Sequence, residues 1–204
     1  MKVSGCVFDF GGVMTTATMP DRVRAHVGEL GVSWEVLVEG FARYRRLMDG
    51  GFITMDEMYS LIWADEGIKI DPAAERRLVE EDMSSFVYRS EATLEFMRSL
   101  KAEGFAVGIL TNMAPCFVPL FSEHFGDFID LADAMVISGQ ERMFKPQRRI
   151  YDLLRERIGL PAGELCFFDD SEANCEGARA AGWCAIRFTG VDEAARAFRE
   201  IAAG

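Results

Sequence analysis

The stretch VSGCVFDFGGV, residues 3–13, decides the fold of this chain. Small and apolar residues run from Val3 to Phe8, the run ends on Asp9, and two glycines follow Phe10. An apolar run bounded by glycines predicts a buried strand, and the glycines allow a sharp turn and a close backbone approach to a ligand. Open α/β sheets bind ligands at the carboxyl ends of their strands. Asp9 is therefore a candidate site residue, with an Asp that begins a turn as the alternative.

Two later apolar runs also end in polar residues. The predicted strands cover residues 105–110 and 165–168, and they are followed by Thr111 and Asn112 and by Asp169 and Asp170. Lys145 lies between them in the chain, and Pro146 keeps it in a loop because a residue before proline disfavours the helical conformation. A carboxylate, a hydroxyl, a lysine and an acidic pair thus occur in an order that indicates a single site.

Periodicity divides the chain into a helical part and an alternating part. From Thr16 to Tyr88 the pattern is helical, with predicted helices over 20–30, 33–48, 54–66 and 72–84. Ser33, Thr54 with Glu57, and Asp71 before Pro72 are typical helix starts. We predict that this segment is a helical cap inserted after the first strand and closing over Asp9.

From Ser90 onward, helices and strands alternate. Predicted helices cover 91–103, 117–125, 148–158, 174–181 and 191–202, and predicted strands cover 105–110, 134–138, 165–168 and 184–188. Such alternation predicts an α/β fold with a doubly wound, parallel, Rossmann-like sheet. The predicted domains are a catalytic core of residues 1–15 and 89–204 and a cap of residues 16–88.

Composition limits the class of protein. The net charge of −11 argues against a nucleic-acid partner, since nonspecific binding needs a basic face. Met1 and Lys2 lead directly into the first predicted strand, so we expect neither a signal peptide nor a membrane partner. The five cysteines follow no metal-like spacing. They predict reduced thiols and a cytoplasmic location.

These motifs resemble the haloacid dehalogenase superfamily of phosphohydrolases. That family has an Asp-bearing strand end, a strand-end Thr or Ser, a Lys and a strand-end acidic pair, and the corresponding residues are Asp9, Thr111, Lys145 and Asp169-Asp170. Within that family, the chain most resembles the branch containing the amino-terminal domain of soluble epoxide hydrolases and bacterial sugar-1-phosphate phosphatases. The resemblance lies in the motif sequences VFDFGGV, FKP and FDDSEANCEGA. The resemblance covers residues 3 to about 188.

The resemblance implies a Mg²⁺-dependent phosphatase with Asp9 as the nucleophile that forms an aspartyl-phosphate. Mg²⁺ would be held by Asp9, the carbonyl of Gly11 and Asp170, with Asp169 direct or through water. The alternative for Asp169 and Asp170 is a pair that caps the following helix. Asn174 is expected to hold this acidic loop through side-chain hydrogen bonds.

The remaining site residues would bind the phosphoryl group. Lys145 would pair with that group and with the acidic cluster, although a lone lysine is more often a solvated surface charge. Thr111 and the backbone of Asn112 would donate hydrogen bonds to phosphoryl oxygens, with helix capping as the alternative for Thr111. Gly12 is expected to contact the substrate through the same loop. Basic residues of the cap are candidates for specificity or solvated helix faces: Arg22, Arg24, Arg43, Arg45 and Arg46.

One position departs from the family pattern. Phosphatases of the family usually carry a second Asp two residues after the nucleophile, and this chain has Gly11 there. That Asp protonates the leaving oxygen and later activates water, help that is worth roughly 10²–10⁴-fold. We therefore expect a rate that depends steeply on the acidity of the leaving group. Substitution by Asp should restore the acid if Gly11 does not have a positive φ.

Three functions compete. The first is a Mg²⁺-dependent phosphatase acting on small phosphorylated metabolites such as sugar 1-phosphates. The second is a metal-independent 2-haloacid dehalogenase, whose family pattern also lacks the second Asp but typically replaces the acidic pair that this chain keeps. The third is a catalytically weakened phosphate-binding or interaction domain. The intact Asp9, Lys145, Asp169 and Asp170 favour the first.

Overall fold

A computed structural model describes residues 2–16, 21–84 and 87–203, with the side chains of residues 21, 22 and 203 left out. Its centre is a sheet of five strands in the order β3-β2-β1-β4-β5, and every strand pair is parallel. The strands are β1 (Gly5–Phe8), β2 (Ala106–Thr111), β3 (Ala134–Ile137), β4 (Leu165–Asp169) and β5 (Cys184–Arg187). The predicted α/β fold with a doubly wound parallel sheet is confirmed.

The described residues between β1 and the next helix of the sheet layer form four α-helices, as the helical pattern predicts. They are α1 (Asp21–Glu29), α2 (Trp34–Asp49), α3 (Met55–Asp65) and α4 (Pro72–Ser84). Three of their starts have the predicted caps. Ser33 accepts a hydrogen bond from the Val36 amide, and Thr54 forms a reciprocal capping box with Glu57. Asp71 accepts from the amides of residues 73 and 74.

Seven helices follow, and most flank the strands. They are α5 (Glu91–Ala102), α6 (Val118–His124), α7 (Gly126–Leu131), α8 (Ser138–Glu141), α9 (Arg148–Ile158), α10 (Glu172–Ala180) and α11 (Val191–Ala203). Most predicted boundaries lie within two residues of the observed ones, and two differences have a structural cause. The helix predicted over 117–125 is a 3₁₀ turn (Pro115–Phe117) and α6, and Phe125 leaves helical geometry at φ −124°, ψ 24° before the unpredicted α7. Ser138 belongs to α8 rather than to β3 because its hydroxyl bonds the backbone of other segments.

Apolar side chains cover both faces of the sheet. Cys6 and Phe8 of β1 belong to the larger cluster, which extends into the α1–α4 helices, whereas Val7 between them belongs to the cluster under α9 and α10. Phe8 stacks on Phe168 of β4 at 4.7 Å between ring centroids. Alternate residues of a strand point to opposite faces, so β1 is buried on both sides, as its uninterrupted apolar run predicts.

The chain leaves and re-enters the sheet layer at one point. Thr15 and Arg89 form an antiparallel bridge, the Thr16 amide donates to the carbonyl of Tyr88, and the Ser90 amide donates to the carbonyl of Met14. The two connecting segments, one leading from β1 to α1 and the other returning from α4, therefore lie side by side, close to Asp9. Among the described residues, no helix is long and apolar enough to cross a membrane.

Candidate active site

Asp9, Lys145 and Asp169 meet at the carboxyl end of the sheet. Asp9 follows β1 and Asp169 ends the neighbouring strand β4. The ammonium Nζ of Lys145 lies 2.7 Å from Asp9 Oδ1 and 2.6 Å from Asp169 Oδ2, and it donates to the carbonyl of Leu110 at 3.0 Å. Each ammonium proton thus has an acceptor, so the Lys145 side chain is held rigidly between two carboxylates.

Burial makes the charges of this cluster interdependent. Lys145 is 1% exposed and Asp9 7% exposed. Burial alone would lower the pKa of Lys145, and attraction to Asp9 and Asp169 outweighs it, so that pKa is raised. Burial raises the pKa of Asp9, and Lys145 opposes the shift only in part. The cluster therefore keeps its lysine charged, and with one ammonium alone it disfavours ionisation of Asp9.

Asn112 fixes the loop that carries Lys145. Its side-chain Oδ1 accepts from the Lys145 amide at 2.8 Å, and its Nδ2 donates to the Lys145 carbonyl at 3.1 Å. The sequence predicts only a backbone contact of Asn112 with substrate and does not predict this positioning role. The residue type could have indicated this role, because an Asn side chain can accept from one backbone amide and donate to one backbone carbonyl at once.

A second amide orients Asp169. Its Oδ1 accepts from the Ser171 amide at 2.8 Å, and Asn174 Nδ2 lies 3.0 Å and 3.1 Å from the two carboxylate oxygens. The predicted contact of Asn174 with the acidic loop is confirmed. The alternative, in which Asp169 and Asp170 cap the following helix, applies in part, because Asp169 accepts from the Ser171 amide in the loop before α10.

The acidic residues form a cluster with the chemistry of a hard-cation site. One carboxylate oxygen from each of Asp9, Asp169 and Asp170 lies within 4.8 Å of the others. Burial and repulsion from Asp169 raise the pKa of Asp170. A divalent cation would relieve this repulsion, and carboxylate oxygens are the ligands that Mg²⁺ takes. The residues present therefore fit the metal that the resemblance implies.

The two glycines after Phe10 differ in their surroundings. Gly12 has φ +71°, and a Cβ placed on it would lie 2.5 Å from Asp170 Oδ2. Gly11 does not have a positive φ, and a Cβ there would meet no atom of the described residues within 4 Å. Position 11 therefore has room for a side chain, whereas position 12 brings the backbone against the acidic cluster.

Replacing Gly12 by Ala is expected to lower the free energy of unfolding by about 1–2 kcal/mol, because a left-handed backbone disfavours a Cβ and Asp170 must move. Gly11→Ala is the matched control and should change stability by less than about 0.5 kcal/mol, as unconstrained sites do. Urea unfolding of both variants measures the difference. Equal stabilities would contradict the role given to Gly12.

Thr111 ends β2 beside this cluster. Its hydroxyl Oγ1 is fully buried and has no hydrogen-bond partner among the described residues. A buried hydroxyl without a partner costs free energy. A hydrogen bond from Thr111 to an oxygen of a ligand bound at the end of β2 would remove that cost. Thr111 does not cap a helix through its side chain, so the capping alternative is not what the structure supports.

An open cavity of about 680 Å³ lies over Asp9. Its lining includes Asp9, Gly11, Gly12, Asn112 and Asp170 of the predicted site. Thr111 and Lys145 lie behind this surface and do not line it. The rest of the wall mixes polar and apolar residues: Thr15, Thr16, Arg45, Ser90, Phe10, Val13, Met113, Phe117 and Phe188.

Of the five basic residues considered for specificity, Arg45 of α2 is the one whose side chain is described on this cavity. It is 30% exposed, and its Nε lies 2.9 Å from Asp49 Oδ1. The others lie elsewhere or are not described: Arg43 pairs with Asp65, Arg24 lies over the Trp34 ring, Arg46 is exposed, and the side chain of Arg22 lies outside the described residues.

A family model described as haloacid dehalogenase-like hydrolase matches residues 3–182. A sesquiterpene phosphatase, astK, from Aspergillus oryzae is 27% identical over 184 residues, 90% of this chain and 88% of the relative. Phosphatase MT3486 from Mycobacterium tuberculosis is 26% identical over 89% of this chain and 85% of its own length. An (S)-2-haloacid dehalogenase from Pseudomonas fluorescens is 26% identical over 81% and 75%.

The solved structures agree on the fold. A haloacid dehalogenase family enzyme from Bacteroides thetaiotaomicron, solved with magnesium and inorganic phosphate, superposes with a TM-score of 0.70 at 21% identity, over 90% of this chain and 93% of that one. The family match spans most of the sequence and includes all four motif positions. The chain therefore belongs to the haloacid dehalogenase-like hydrolases.

Proposed function

We propose that this hydrolase is a Mg²⁺-dependent phosphatase that forms an aspartyl-phosphate on Asp9. The observation that carries the proposal is the cluster itself: Asp9 pairs with Lys145 at 2.7 Å, has one carboxylate oxygen within 4.8 Å of those of Asp169 and Asp170, and lines a cavity. Phosphatases among the relatives support a phosphorylated small molecule as the substrate class. Sugar 1-phosphates as the substrates stay a prediction, because they follow only from the resemblance to one branch of the family.

The residues suggest a two-step reaction. A carboxylate oxygen of Asp9 attacks phosphorus, the bond from phosphorus to the leaving oxygen breaks, and the electron pair departs with that oxygen. Water then attacks the aspartyl-phosphate, releasing inorganic phosphate and the Asp9 carboxylate. Lys145 would balance the phosphoryl charge, and Thr111 with the amides of Gly12 and Asn112 would hold its oxygens.

Mg²⁺, when bound, would neutralise negative charge between the phosphoryl group and the acidic cluster. We assign its ligands to Asp9 and Asp170, to the carbonyl of Gly11, and to Asp169 directly or through water. Lys145 and Asn174 would hold Asp169 in the orientation that this role needs, since both contact its carboxylate. Residues orienting a metal ligand commonly matter nearly as much as the ligand.

We also propose that residues 16–88 form a cap that sets specificity. Support comes from Arg45 of α2, which lines the cavity together with Asp9, and from the adjacent linkers at Thr15 and Arg89. The mixed wall accommodates a sugar hydroxyl group or an apolar chain, the latter as in the substrate class named for the sesquiterpene phosphatase. A cytoplasmic location is supported by five free cysteines.

A 2-haloacid dehalogenase is the second candidate, because Gly11 and the dehalogenase relatives both favour it. The retained acidic cluster of Asp9, Asp169 and Asp170 favours the phosphatase instead, since a reaction without metal does not need three converging carboxylates. A purely phosphate-binding domain would not need the Asp9 carboxylate, which lies where it repels a phosphate.

The proposed function is tested by a panel of phosphate esters assayed with Mg²⁺ and with EDTA. The panel holds an aryl phosphate, a sugar 1-phosphate, a sugar 6-phosphate and a prenyl phosphate, and a parallel assay measures halide release from a 2-haloacid. We expect phosphate release with Mg²⁺ and at least about a 100-fold loss in EDTA, since charge stabilisation by a metal is worth several kcal/mol. Halide release in EDTA would favour the dehalogenase, and activity unchanged by EDTA would contradict the metal requirement.

A further inference from the structure

We propose that Arg45 is a catalytic residue that stabilises negative charge on the leaving oxygen and so replaces the acid missing at position 11. The inference rests on the proposed phosphatase function. In this role, Arg45 of α2 would assist departure of the leaving oxygen where other family members use a general acid.

The described cavity wall offers few groups for this work. Its ionisable side chains are Asp9, Asp170 and Arg45. Asp9 is the proposed nucleophile and Asp170 a proposed metal ligand, so neither is available to assist the leaving oxygen. The space next to Gly11 contains no side chain of the described residues within 4 Å of a Cβ position. Arg45 is the group that remains.

The direction of the reaction turns the leaving oxygen away from Asp9 and towards the rest of the cavity wall. In an in-line displacement, the attacking and leaving oxygens lie on opposite sides of phosphorus. Asp9 forms the floor of the cavity at the end of β1, so the leaving oxygen points away from the sheet. Arg45 of α2 is the cation of the described cavity wall, and we infer that it faces the leaving oxygen.

The surroundings of Arg45 orient its guanidinium. The Nε atom lies 2.9 Å from Asp49 Oδ1, and the guanidinium carbon lies 5.8 Å from the centre of the Phe41 ring. Asp49 is buried, and its carbonyl accepts a hydrogen bond from the hydroxyl of Ser138 in the core. The Ser138 hydroxyl also accepts from the Met113 amide at 2.8 Å, beside Asn112. Arg45 is therefore tied to the loop that carries the site.

A guanidinium can help a leaving group without giving up its proton. As the bond from phosphorus to oxygen breaks, the electron pair stays on the leaving oxygen, and Arg45 holds the resulting negative charge through hydrogen bonds. The leaving oxygen then takes its proton from water. A preorganised donor of this kind is worth roughly 10²–10³-fold in kcat, comparable with the acid that Gly11 lacks.

The test measures kcat for wild type and Arg45→Met over a series of phosphate monoesters of one size but decreasing leaving-group acidity. We expect kcat of the variant to fall about 10²-fold for alkyl esters and less than about 10-fold for p-nitrophenyl phosphate, whose leaving oxygen needs little help. Arg45→Lys should recover part of the loss. Arg46→Met, an exposed neighbour on α2, is the matched control and should match wild type throughout.

The double variant Arg45→Met/Gly11→Asp separates the proposed role from a structural one. An acid at position 11 has room and a permissive backbone, so it should restore alkyl-ester turnover lost with Arg45. A cap that had simply misfolded would not be rescued in this way. Thermal melts of each variant record cap stability independently of activity.

The opposing outcomes are distinct. If Arg45→Met lowers kcat by one factor for all esters, or raises only KM, Arg45 does not act on the leaving oxygen and the inference is wrong. If wild type releases phosphate from none of the esters, the proposed function is wrong and the role of Arg45 is overturned with it. Hydrolysis by wild type, loss in Asp9→Asn and an unchanged leaving-group dependence in Arg45→Met would overturn the inference alone.

Discussion

Replacing Asp9 by Asn should abolish phosphate release, with kcat falling by at least about 10⁴-fold, because an amide oxygen is a poor nucleophile towards phosphorus. The substitution keeps the shape of the side chain, so the fold should survive. Lys145 retains its contact with Asp169 in the variant. The assay is phosphate release from p-nitrophenyl phosphate with Mg²⁺, with circular dichroism as the check on folding.

Asp130→Asn provides the matched control for this prediction. Asp130 is exposed on α7 and does not belong to the described cavity lining, so its loss should leave kcat unchanged. Residual activity of Asp9→Asn above one-tenth of wild type would show that the reaction does not go through this carboxylate. A loss of folded structure in Asp9→Asn would instead require a milder substitution, Asp9→Glu, which displaces the nucleophile without removing its charge and should still be inactive.

Replacing Lys145 by Met should lower both stability and activity. The variant leaves Asp9 and Asp169 buried without their cation, and breaking a buried ion pair from one side costs about 3–5 kcal/mol. Loss of the charge that faces the phosphoryl group should lower kcat by about 10²–10³-fold. Lys101→Met is the control, because Lys101 pairs with Asp133 at the surface, where a pair is worth roughly 1 kcal/mol or less.

The pH dependence of the Lys145→Met deficit identifies its cause. Burial raises the pKa of Asp9 from 3.8 to about 8, so the native state binds the extra proton and stability falls as pH rises through this window. Without Lys145, ionising the buried Asp9 carboxyl costs still more free energy, so its pKa rises further. The wild type ionises Asp9 above about pH 8, whereas the variant does so only at higher pH. Urea unfolding without metal should therefore show a larger deficit at about pH 9.5 than at about pH 5. A deficit of the same size at both pH values would indicate lost packing rather than unbalanced charge.

The strand ends could be predicted because local sequence determines them. An uninterrupted apolar run identifies β1 as buried on both faces, and the residue after it must lie at the carboxyl edge of the sheet. Pro146 likewise places Lys145 in a loop through a local steric effect. The order of the polar residues indicates a shared site, but the pairing of Lys145 with the acidic cluster could be expected only from the family resemblance, since no local rule relates positions so far apart in the chain.

Other features depend on tertiary structure that local pattern does not contain. The break between α6 and α7 at Phe125 follows from burying the Phe125 and Phe128 rings against the core, and a helical pattern alone continues through it. Asn112 binds the backbone of Lys145 across 33 residues of sequence. The five arginines considered for specificity are equivalent by sequence pattern, and only the packing of α2 brings Arg45 to the cavity.

The most direct test of the central claim is to trap the phosphorylated enzyme. Wild-type protein with Mg²⁺ and an aryl phosphate is quenched in acid within the first turnovers, digested and analysed by mass spectrometry. Because Gly11 provides no base to activate water, hydrolysis of the intermediate should be slow. We expect a burst of phenol release and a phosphoryl group on Asp9 in a large fraction of the enzyme, absent in Asp9→Asn. Phosphate release at full rate with the Asp9 peptide unmodified at every quench time would contradict the mechanism.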